Sequence, residues 1–234
     1  MKAFYDLHIH SALSPCGDED MTPNNIVNMS LLKGLDVIAV TDHNSCGNVR
    51  TVMEVAGDRL LVIPGMEVET AEEVHILCYF PTLSQAEAME ELLKTNRLPI
   101  DNRPDIFGRQ LYLNAEDEII GEETRLLTAA STLSIEDVFS HAFALGGLPV
   151  PAHIDRQSYS VISNLGFLPP HLDIRGVEIT AKNLDAWKTE YAQYPILCSS
   201  DAHYLGDIAE PFHFIDINSK NAEEFLAKLT KKIC

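Results

Sequence analysis

Short apolar runs recur along this chain, and longer amphipathic stretches separate several of them. Most of the runs are apolar at nearly every position, which is typical of parallel strands that are covered on both faces. Capping signals mark two of the helical stretches, Thr22-Pro23 in one and Ser134 with Asp137 in the other. The alternation of strands and helices predicts a parallel α/β architecture.

The pattern assigns the strands and the main helices to definite ranges. The predicted strands are residues 3–8, 35–41, 60–63, 73–79, 148–153, 176–180, 196–199 and 212–216. The predicted helices include residues 24–33, 48–54, 134–144 and 221–231.

The alternation lapses between Phe80 and Leu133. A polar helix is predicted over residues 84–95, and a stretch rich in Pro, Asn and Arg follows over residues 98–104. A segment of roughly fifty residues without a clear apolar core is marginal as an independent unit. We therefore expect one domain over residues 1–234, with a mostly helical insertion at about residues 81–133 that could cap a site.

Composition narrows the classes of partner. The chain has 234 residues, 46% of them hydrophobic, and a formal net charge of −18. Its 17 basic residues form no run of the kind that a nucleic-acid groove needs, so a long nucleic acid is predicted to be an unlikely partner. A small anionic substrate remains compatible, because bound metal ions would add local positive charge.

The five cysteines are scattered and form no CxxC pair, which suits a reducing compartment rather than a disulfide framework. Polar residues interrupt the N-terminal apolar run, so no secretory signal is predicted. No stretch reaches the roughly 18 apolar residues of a membrane span. These patterns predict a cytoplasmic protein without a membrane partner; they do not predict its oligomeric state.

Two pairs of polar residues stand where predicted strands end. His8 and His10 close the first run, and Asp201 and His203 follow a late one at the same spacing. Alternate residues of a strand point to the same face, so each pair can converge on one point. The two pairs together predict a metal site and a metallohydrolase.

Further potential ligands follow or lie in the intervening strands. Imidazole and carboxylate groups suit Zn, Mn or Fe(II), and nine ligands are enough for two or three divalent ions. The carboxyl ends of strands are also where parallel α/β folds bind ligands. The nine candidates are His8, His10, Asp18, His43, Glu67, His75, His153, Asp201 and His203. The other histidines, His141, His171 and His213, are predicted to be ordinary structural residues.

These motifs, in this order, resemble those of the PHP (polymerase and histidinol phosphatase) superfamily. The resemblance runs over about residues 3–207 and implies a distorted (β/α)7 TIM-like barrel with a trinuclear metal centre and phosphoesterase chemistry. Its motifs here are His8-x-His10, Asp18, Thr41-Asp42-His43, Pro64-Gly65-Met66-Glu67, His75, His153 and Ser200-Asp201-Ala202-His203.

The resemblance also implies how the ligands are shared. It implies a first metal on His8, His10, Glu67 and Asp201; a second on Glu67, His75 and His153; and a third on Asp18, His43 and His203. Many family members place the loop ligand five residues after the second histidine, where this chain has Pro15. Asp20, Glu19 or Cys16 can therefore replace Asp18, and a centre with two tightly held metals stays open.

The predicted reaction is the hydrolysis of a small phosphomonoester such as a nucleotide, histidinol phosphate or a sugar phosphate. Asp201 or His203 is expected to relay a proton, and Arg156 to bind phosphate unless it pairs with Asp155 or Asp173. Arg103, Arg109 and Arg125 in the insertion are further candidates for substrate recognition. Three alternatives remain: an amidohydrolase-type C–N hydrolase, a PHP-type 3′–5′ exonuclease, and a non-catalytic metal-stabilised binding module.

Overall fold

The computed structural model describes residues 1–230, and each of its strands overlaps a predicted strand or lies in the 81–133 segment. The strands are β1 (Lys2–Ile9), β2 (Val37–Val40), β3 (Leu61–Glu69), β4 (His75–Tyr79), β5 (Leu111–Leu113), β6 (Ile119–Glu122), β7 (Leu148–Pro151), β8 (Val177–Glu178), β9 (Ile196–Leu197) and β10 (Phe214–Asp216).

Two helices begin at the residues that carry the predicted capping signals. The Thr22 side chain accepts a hydrogen bond from the Asn25 amide, and Ser134 and Asp137 form a reciprocal capping box. The helices are α1 (Pro23–Leu32), α2 (Val49–Ala56), α3 (Leu83–Asn96), α4 (Pro104–Phe107), α5 (Ile135–Ala144), α6 (Val161–Leu165), α7 (Leu184–Trp187) and α8 (Ala222–Leu229). Lys231, the predicted end of the last helix, lies outside the described residues.

The parallel arrangement is confirmed for part of the sheet and wrong for two strands. β1, β2 and β3 pair in parallel, as do β8 and β9. β4 is antiparallel to both β3 and β7, and β10 is antiparallel to β1. A short turn over residues 70–74 joins β3 to β4, whereas a parallel return needs a crossover of about a dozen residues. Composition did not reveal this direction because β4 is buried on both faces.

Hydrogen bonds join the edges of the sheet into a curled, barrel-like ring. In the six-stranded sheet the neighbouring strands are β10-β1-β2-β3-β4-β7. Beyond β7, the Ile154 amide donates to the Glu178 carbonyl at 2.9 Å and so links β7 to β8. After β9, the Ala202 amide donates to the His8 carbonyl at 3.1 Å, and the His10 amide donates to the Ala202 carbonyl at 2.9 Å. The first strand and the chain beyond the ninth strand are thereby brought side by side.

Two apolar clusters cover the strands. One cluster includes Ile38 and Val40 of β2 and is covered by residues of α1, α2, α3 and α5. The other includes Leu7 and Ala39 and is closed by α8, whose Phe225 ring packs edge-on against Tyr5. Burial on both faces explains why the strands are continuously apolar. None of the helices in residues 1–230 is long and apolar enough to span a bilayer.

The 81–133 segment contains both helix and strand. The predicted helix 84–95 lies within α3, and a β-hairpin of β5 and β6 follows the short α4. The hairpin packs beside the loops that follow β1 and β2: the Leu111 amide donates to the Ala12 carbonyl at 2.8 Å, and the Asn48 side chain donates to the Leu111 carbonyl at 2.9 Å. The segment therefore lies next to the loops that carry several predicted ligands.

Candidate metal centre

Most of the predicted ligands are buried and meet at one edge of the curled sheet. His8 lies in β1, Glu67 lies in β3, and His75 is the first residue of β4. Because β4 runs antiparallel to β3, its first residue lies at the edge where β3 ends. The remaining buried ligands come within four residues of the ends of β1, β2, β7 and β9; they are His10, His43, His153 and Asp201.

The carboxylate of Glu67 lies at the centre of this group. Its Oε1 atom is 2.9 Å from Nδ1 of His75 and 3.1 Å from Nε2 of His153. Its Oε2 atom is 3.1 Å from Nδ1 of His43 and 3.5 Å from Nε2 of His10. One carboxylate that faces imidazoles from four parts of the chain has the arrangement of a bridging ligand.

Asp201 faces the same cluster from the other end of the chain. Its Oδ1 atom lies 3.2 Å from Nε2 of His8 and 3.1 Å from Nε2 of His10. His203, which is partly exposed, donates from Nδ1 to the Asp201 carbonyl at 2.8 Å. Asp201 itself has a φ of 53°, a left-handed conformation that Asp adopts more readily than most residues.

Three sets of ligand atoms within the described residues are compact enough to hold an ion, with all atoms of each set within 4.8 Å of one another. His8 and His10 belong to the same set, and His10 also belongs to a second one, whereas Asp201 and His203 belong to different sets. The sets are His8, His10 and Asp201; His43, Glu67 and His75; and His10, His43 and His203.

The unpaired ring atoms of three histidines fit the requirements of a metal site. In the described part of the chain, the buried Nδ1 atoms of His43, His75 and His153 have no hydrogen-bond partner. Buried polar atoms are rarely left unsatisfied, and each such atom needs an explanation. The Nδ1 atoms of His43 and His75 lie 3.1 and 2.9 Å from the oxygens of Glu67 without forming a hydrogen bond, and a cation held by these groups would satisfy them.

A relay of buried polar groups orients His10. Its Nδ1 atom donates to the Ser14 hydroxyl at 2.9 Å, and that hydroxyl donates to Oδ1 of Asp42 at 2.7 Å. Asp42 also accepts from the Ser11 amide at 2.7 Å. This arrangement leaves Nε2 of His10 facing the ligand cluster. In the sequence Asp42 is recognisable only as part of the Thr41-Asp42-His43 motif and Ser14 is not singled out, because a lone serine in a loop carries no ligand motif.

At Glu67 and His75, neighbouring groups of opposite charge together shift the pKa more than burial does. Burial alone would raise the pKa of Glu67, but the imidazoles of His75 and His8 hold it well below its usual range. Burial would lower the pKa of His75, but the Glu67 carboxylate raises it to about 9. At His203, burial and the neighbouring His10 lower the pKa to about 4. A metal ion that binds such a cluster would displace protons from the histidines, so metal binding would release protons.

The loop ligand is the predicted residue that the structure does not bring into these sets. Asp18 Oδ1 accepts from the Asp20 amide at 2.9 Å, which uses the carboxylate in a local turn. The Asp18 amide donates to the His203 carbonyl at 2.9 Å, so its backbone lies beside the cluster. Glu19 lies 3.7 Å from Arg109, and Cys16 is exposed. None of these residues belongs to a compact ligand set among the described residues.

Arg156 contacts the cluster, whereas the arginines of the insertion pair elsewhere. Its Nη2 atom lies 2.5 Å from Oδ2 of Asp201. The alternative partners are occupied, since Asp155 accepts from Thr180 and Asp173 pairs with Arg175. The three insertion arginines predicted to recognise substrate form ion pairs with nearby carboxylates, namely Arg103 with Asp105, Arg109 with Glu122 and Arg125 with Asp101.

The remaining histidines lie outside the compact sets, as expected of structural residues. His171 forms an exposed pair with Glu136 at 2.9 Å. His213 packs against the Tyr5 ring with centroids 6.5 Å apart, and burial lowers its pKa.

A family model described as PHP domain matches residues 6–146 of the chain. Two uncharacterized proteins of Methanocaldococcus jannaschii are also similar to it, at 35% identity over 115 residues and 32% over 118 residues. These matches cover 47% and 44% of this chain, and 14% and 68% of the respective relatives. The chain thus corresponds to a small part of the first relative and to about two thirds of the second.

Solved structures share the fold at low sequence identity. Endonuclease Q from Pyrococcus furiosus matches with a TM-score of 0.75 and 22% identity over 98% of this chain and 56% of that one. A proposed metal-dependent phosphoesterase from Bifidobacterium adolescentis matches at 0.63 and 17% over 99% and 98%. An amidohydrolase from Chromobacterium violaceum matches at 0.61 and 17% over 94% and 93%. These likenesses confirm the predicted TIM-like barrel.

The prediction that a long nucleic acid is an unlikely partner is wrong as an exclusion. Endonuclease Q has been solved with a 27-mer duplex that carries an abasic lesion at the active site, so a protein that contains this fold binds duplex DNA. The net charge of −18 sums side chains over the whole surface. It omits bound cations and says nothing of the local field at one edge of the sheet.

Proposed function

Because the chain belongs to the PHP domain family, we propose that it is a metal-dependent phosphoesterase. The observation that carries this proposal is the convergence of Glu67 and Asp201 with buried imidazoles at one edge of the sheet. Imidazole and carboxylate ligands together suit Zn, Mn or Fe(II). Clustered cations held by such ligands are the usual catalysts of phosphoester hydrolysis in metal-dependent enzymes.

We assign the ligands to two or three metals. His8, His10 and Asp201 form one compact set, and Glu67 Oε1 lies 3.3 Å from Nε2 of His8, which supports a first metal on these four residues. The ligands proposed for the second metal are Glu67, His75 and His153. The ligands proposed for the third are His43 and His203, completed by Asp18 or another residue of the loop 16–20.

When bound, divalent ions lower the pKa of a coordinated water toward neutrality and neutralise charge on phosphoryl oxygens. The protein's own groups supply positioning and proton transfer. Arg156 lies against Oδ2 of Asp201, on the side of that carboxylate away from His8 and His10, and there it binds a phosphate oxygen. Asp201 and the partly exposed His203 are placed to pass a proton to the leaving oxygen.

A cavity beside Arg156 suits the organic part of a small phosphomonoester. It has a volume of about 570 Å³, within the range of small-molecule sites. Thr180 and Lys182 beyond β8 and Ser200 beyond β9 line it, so it opens at the same edge of the sheet as the ligand cluster. A nucleotide, histidinol phosphate or a sugar phosphate is small enough for a cavity of this volume.

A phosphodiester of duplex DNA is a second candidate substrate. The observation that favours it is the match of 98% of this chain to Endonuclease Q, which acts on a lesion-containing duplex. The chain spans only 56% of that protein, so the comparison concerns the part of Endonuclease Q that shares this fold.

The test combines metal analysis with turnover. The chain is expressed with Mn or Zn supplementation, and phosphate release is measured from nucleotides, histidinol phosphate and sugar phosphates, together with cleavage of intact and abasic DNA duplexes. Phosphate release that is lost in His8→Ala and Asp201→Ala supports the first candidate. Duplex cleavage without phosphate release favours the second. Less than one bound transition metal per chain, or no hydrolysis of either class, overturns the proposal.

A further inference from the structure

Glu178 is a buried carboxylate of β8 that no ligand motif includes. It is 1% exposed and lies between the ring of His8 and the backbone of His153, two of the proposed metal ligands. We propose that Glu178 is the positioning residue of the centre: it holds the His8 ring in its ligating orientation and fixes the backbone of His153. This inference rests on the proposed function, since it assigns a role toward the metals of that site.

The two nitrogens of His8 face different groups. Nδ1 lies 3.1 Å from Oε1 and 3.0 Å from Oε2 of Glu178. Nε2 lies on the other side of the ring, 3.2 Å from Asp201 and 3.3 Å from Glu67. A carboxylate that accepts from Nδ1–H leaves the lone pair of Nε2 free for a cation. Such an outer partner sets the tautomer and the orientation of a ligating histidine and raises its basicity.

Glu178 also holds the second ligand through the main chain. The His153 amide donates to Oε2 of Glu178 at 2.9 Å. The φ of His153 is 25°, in the left-handed region that non-glycine residues rarely occupy, so this backbone needs support from its surroundings. The Ile154 amide donates to the carbonyl of the same Glu178, which ties residues 153 and 154 to β8.

The partners of the Glu178 carboxylate are the two proposed metal ligands, His8 and His153, rather than a surface cation. Among the described residues its carboxylate has no lysine or arginine partner, and His8 is the partner of its ion pair. A buried carboxylate is strongly destabilising unless it is paired and hydrogen-bonded. This carboxylate is satisfied by one ligand ring and one ligand backbone, so its retention inside the fold is explained by these two ligands.

The proposal is separable from a role as a direct ligand. Both oxygens of Glu178 lie on the Nδ1 side of His8, whereas the groups of the first compact set lie on the Nε2 side. Glu178 therefore acts through His8 rather than on a metal. His10 has a comparable relay in Ser14 and Asp42, so both histidines of the first motif are oriented through Nδ1.

The test compares Glu178→Ala and Glu178→Gln with Glu90→Gln. Glu90 is another buried carboxylate, bonded to Ser45 and not to any proposed ligand, which makes it a matched control for loss of a buried charge. Zinc affinity is measured for each chain by competition with a chromogenic chelator. Melting temperatures of the metal-free chains show that each variant is folded, and nuclear magnetic resonance follows the Nδ1 proton of His8 in the zinc-loaded protein.

We expect Glu178→Ala to weaken the tightest zinc site by roughly 100-fold, and Glu178→Gln by roughly 10-fold, within the range known for outer-shell partners of metal ligands. The amide oxygen of Glu178→Gln can replace Oε2, which accepts from both His8 and the His153 amide, but it carries no charge, and an NH2 group replaces Oε1 beside Nδ1 of His8. The slowly exchanging Nδ1 proton of His8 should be lost in Glu178→Ala and kept in Glu90→Gln.

Zinc affinities of both Glu178 variants within threefold of the unsubstituted chain, or a loss equal to that in Glu90→Gln, would overturn the positioning role. Because glutamine is nearly isosteric with glutamate, Glu178→Gln decides the question even where the alanine variant does not fold. Zinc binding is read without turnover, so an unsubstituted chain that loads metal and hydrolyses no phosphoester overturns the proposed function alone. A chain that binds no metal overturns both.

Discussion

The carboxylate of Asp201 lies 3.1 Å from Nε2 of His10, although 191 residues separate them along the chain. The parallel bridge between Ile9 and Ala202 places them side by side. Asp201→Asn keeps a side chain that tolerates the left-handed backbone and removes the charge. We expect phosphate release to fall at least about 100-fold, since metal ions supply several kcal/mol of transition-state stabilisation and each 1.4 kcal/mol is about tenfold in rate.

The control for this substitution is Asp216→Asn, which removes an exposed carboxylate from β10. It should leave the rate and the metal content unchanged. Equal activity in Asp201→Asn and the unsubstituted chain would show that Asp201 is not a ligand. Metal content by mass spectrometry and phosphate release by a colorimetric assay are the two measurements.

The central position of Glu67 predicts a larger effect on metal content than loss of a terminal ligand. Glu67→Gln replaces the carboxylate that faces His75, His153, His43 and His10 with a neutral amide. We expect the purified variant to lose metal from two sites rather than one, because both proposed sites share this group. Inductively coupled plasma mass spectrometry of the purified chains measures the loss.

Glu69 is the matched control for Glu67. It is buried, lies two residues further along β3, and approaches His75 Nε2 only to 3.7 Å. Glu69→Gln should retain nearly the full metal content. The reverse result, metal loss in Glu69→Gln and retention in Glu67→Gln, would show that Glu69 rather than Glu67 is the bridging carboxylate.

Arg156 is expected to affect substrate binding without affecting the metals. Its Nη2 atom lies 2.5 Å from Asp201 Oδ2, its side chain is 43% exposed, and it lines the adjoining cavity. A hydrogen bond to a charged group contributes about 1.5–3 kcal/mol, so Arg156→Ala should lower kcat/KM roughly 10- to 100-fold. Arg175→Ala, which removes an exposed arginine paired with Asp173, should leave kcat/KM unchanged. Loss of bound metal in Arg156→Ala would refute a role limited to substrate.

The hydrogen bonds of Glu224, which lies outside the metal centre, are expected to make the thermal stability of the protein depend on pH. Its carboxylate accepts from the Ser219 hydroxyl and from the amides of Asn218 and Ser219, and these hydrogen bonds lower its pKa to about 2. A lowered pKa means that the stabilisation is fully present above the ordinary value near pH 4.5 and is lost as the pH falls through about 2. Glu224→Gln should therefore melt below the unsubstituted chain at pH 7, and the difference should shrink as the pH falls below 4.5.

Glu223→Gln controls for the position in the helix. Glu223 and Glu224 both lie in the first turn of α8, so both interact with the helix dipole, but only Glu224 holds the preceding loop. Thermal melts of the metal-free chains between pH 2 and pH 7 measure the effect. An equal shift in both variants would assign the effect to the dipole rather than to the hydrogen bonds.

Much of the fold could be predicted because strand burial leaves a local trace. The run Ala3–Leu7 and the residues of β2 are apolar at almost every position, since both faces are covered by the clusters that contain Leu7 and Ile38. The capping groups Thr22 and Ser134 act within three residues of themselves, which makes helix starts readable. The direction of β4 depended instead on the length of one turn.

Several candidate ligands could also be located from the sequence, because buried strands are recognisable as apolar runs. His8, Glu67 and His153 lie in or just after buried strands, and strand ends meet at one edge in this class of fold. Glu178 was missed although it lies in a predicted strand, because a lone glutamate in a short run carries no motif. Ser14 was missed because its role depends on where the loop after β1 returns.

The sequence by itself determined the succession of strands and helices and the residue types that gather at strand ends, because burial and capping act over a few residues. Only the tertiary structure decided which carboxylate lies among the imidazoles, which groups orient His8 and His10, and that Arg156 meets Asp201. Those contacts join residues as far apart as His10 and Asp201. They depend on how the sheet curls and closes, which no local pattern records.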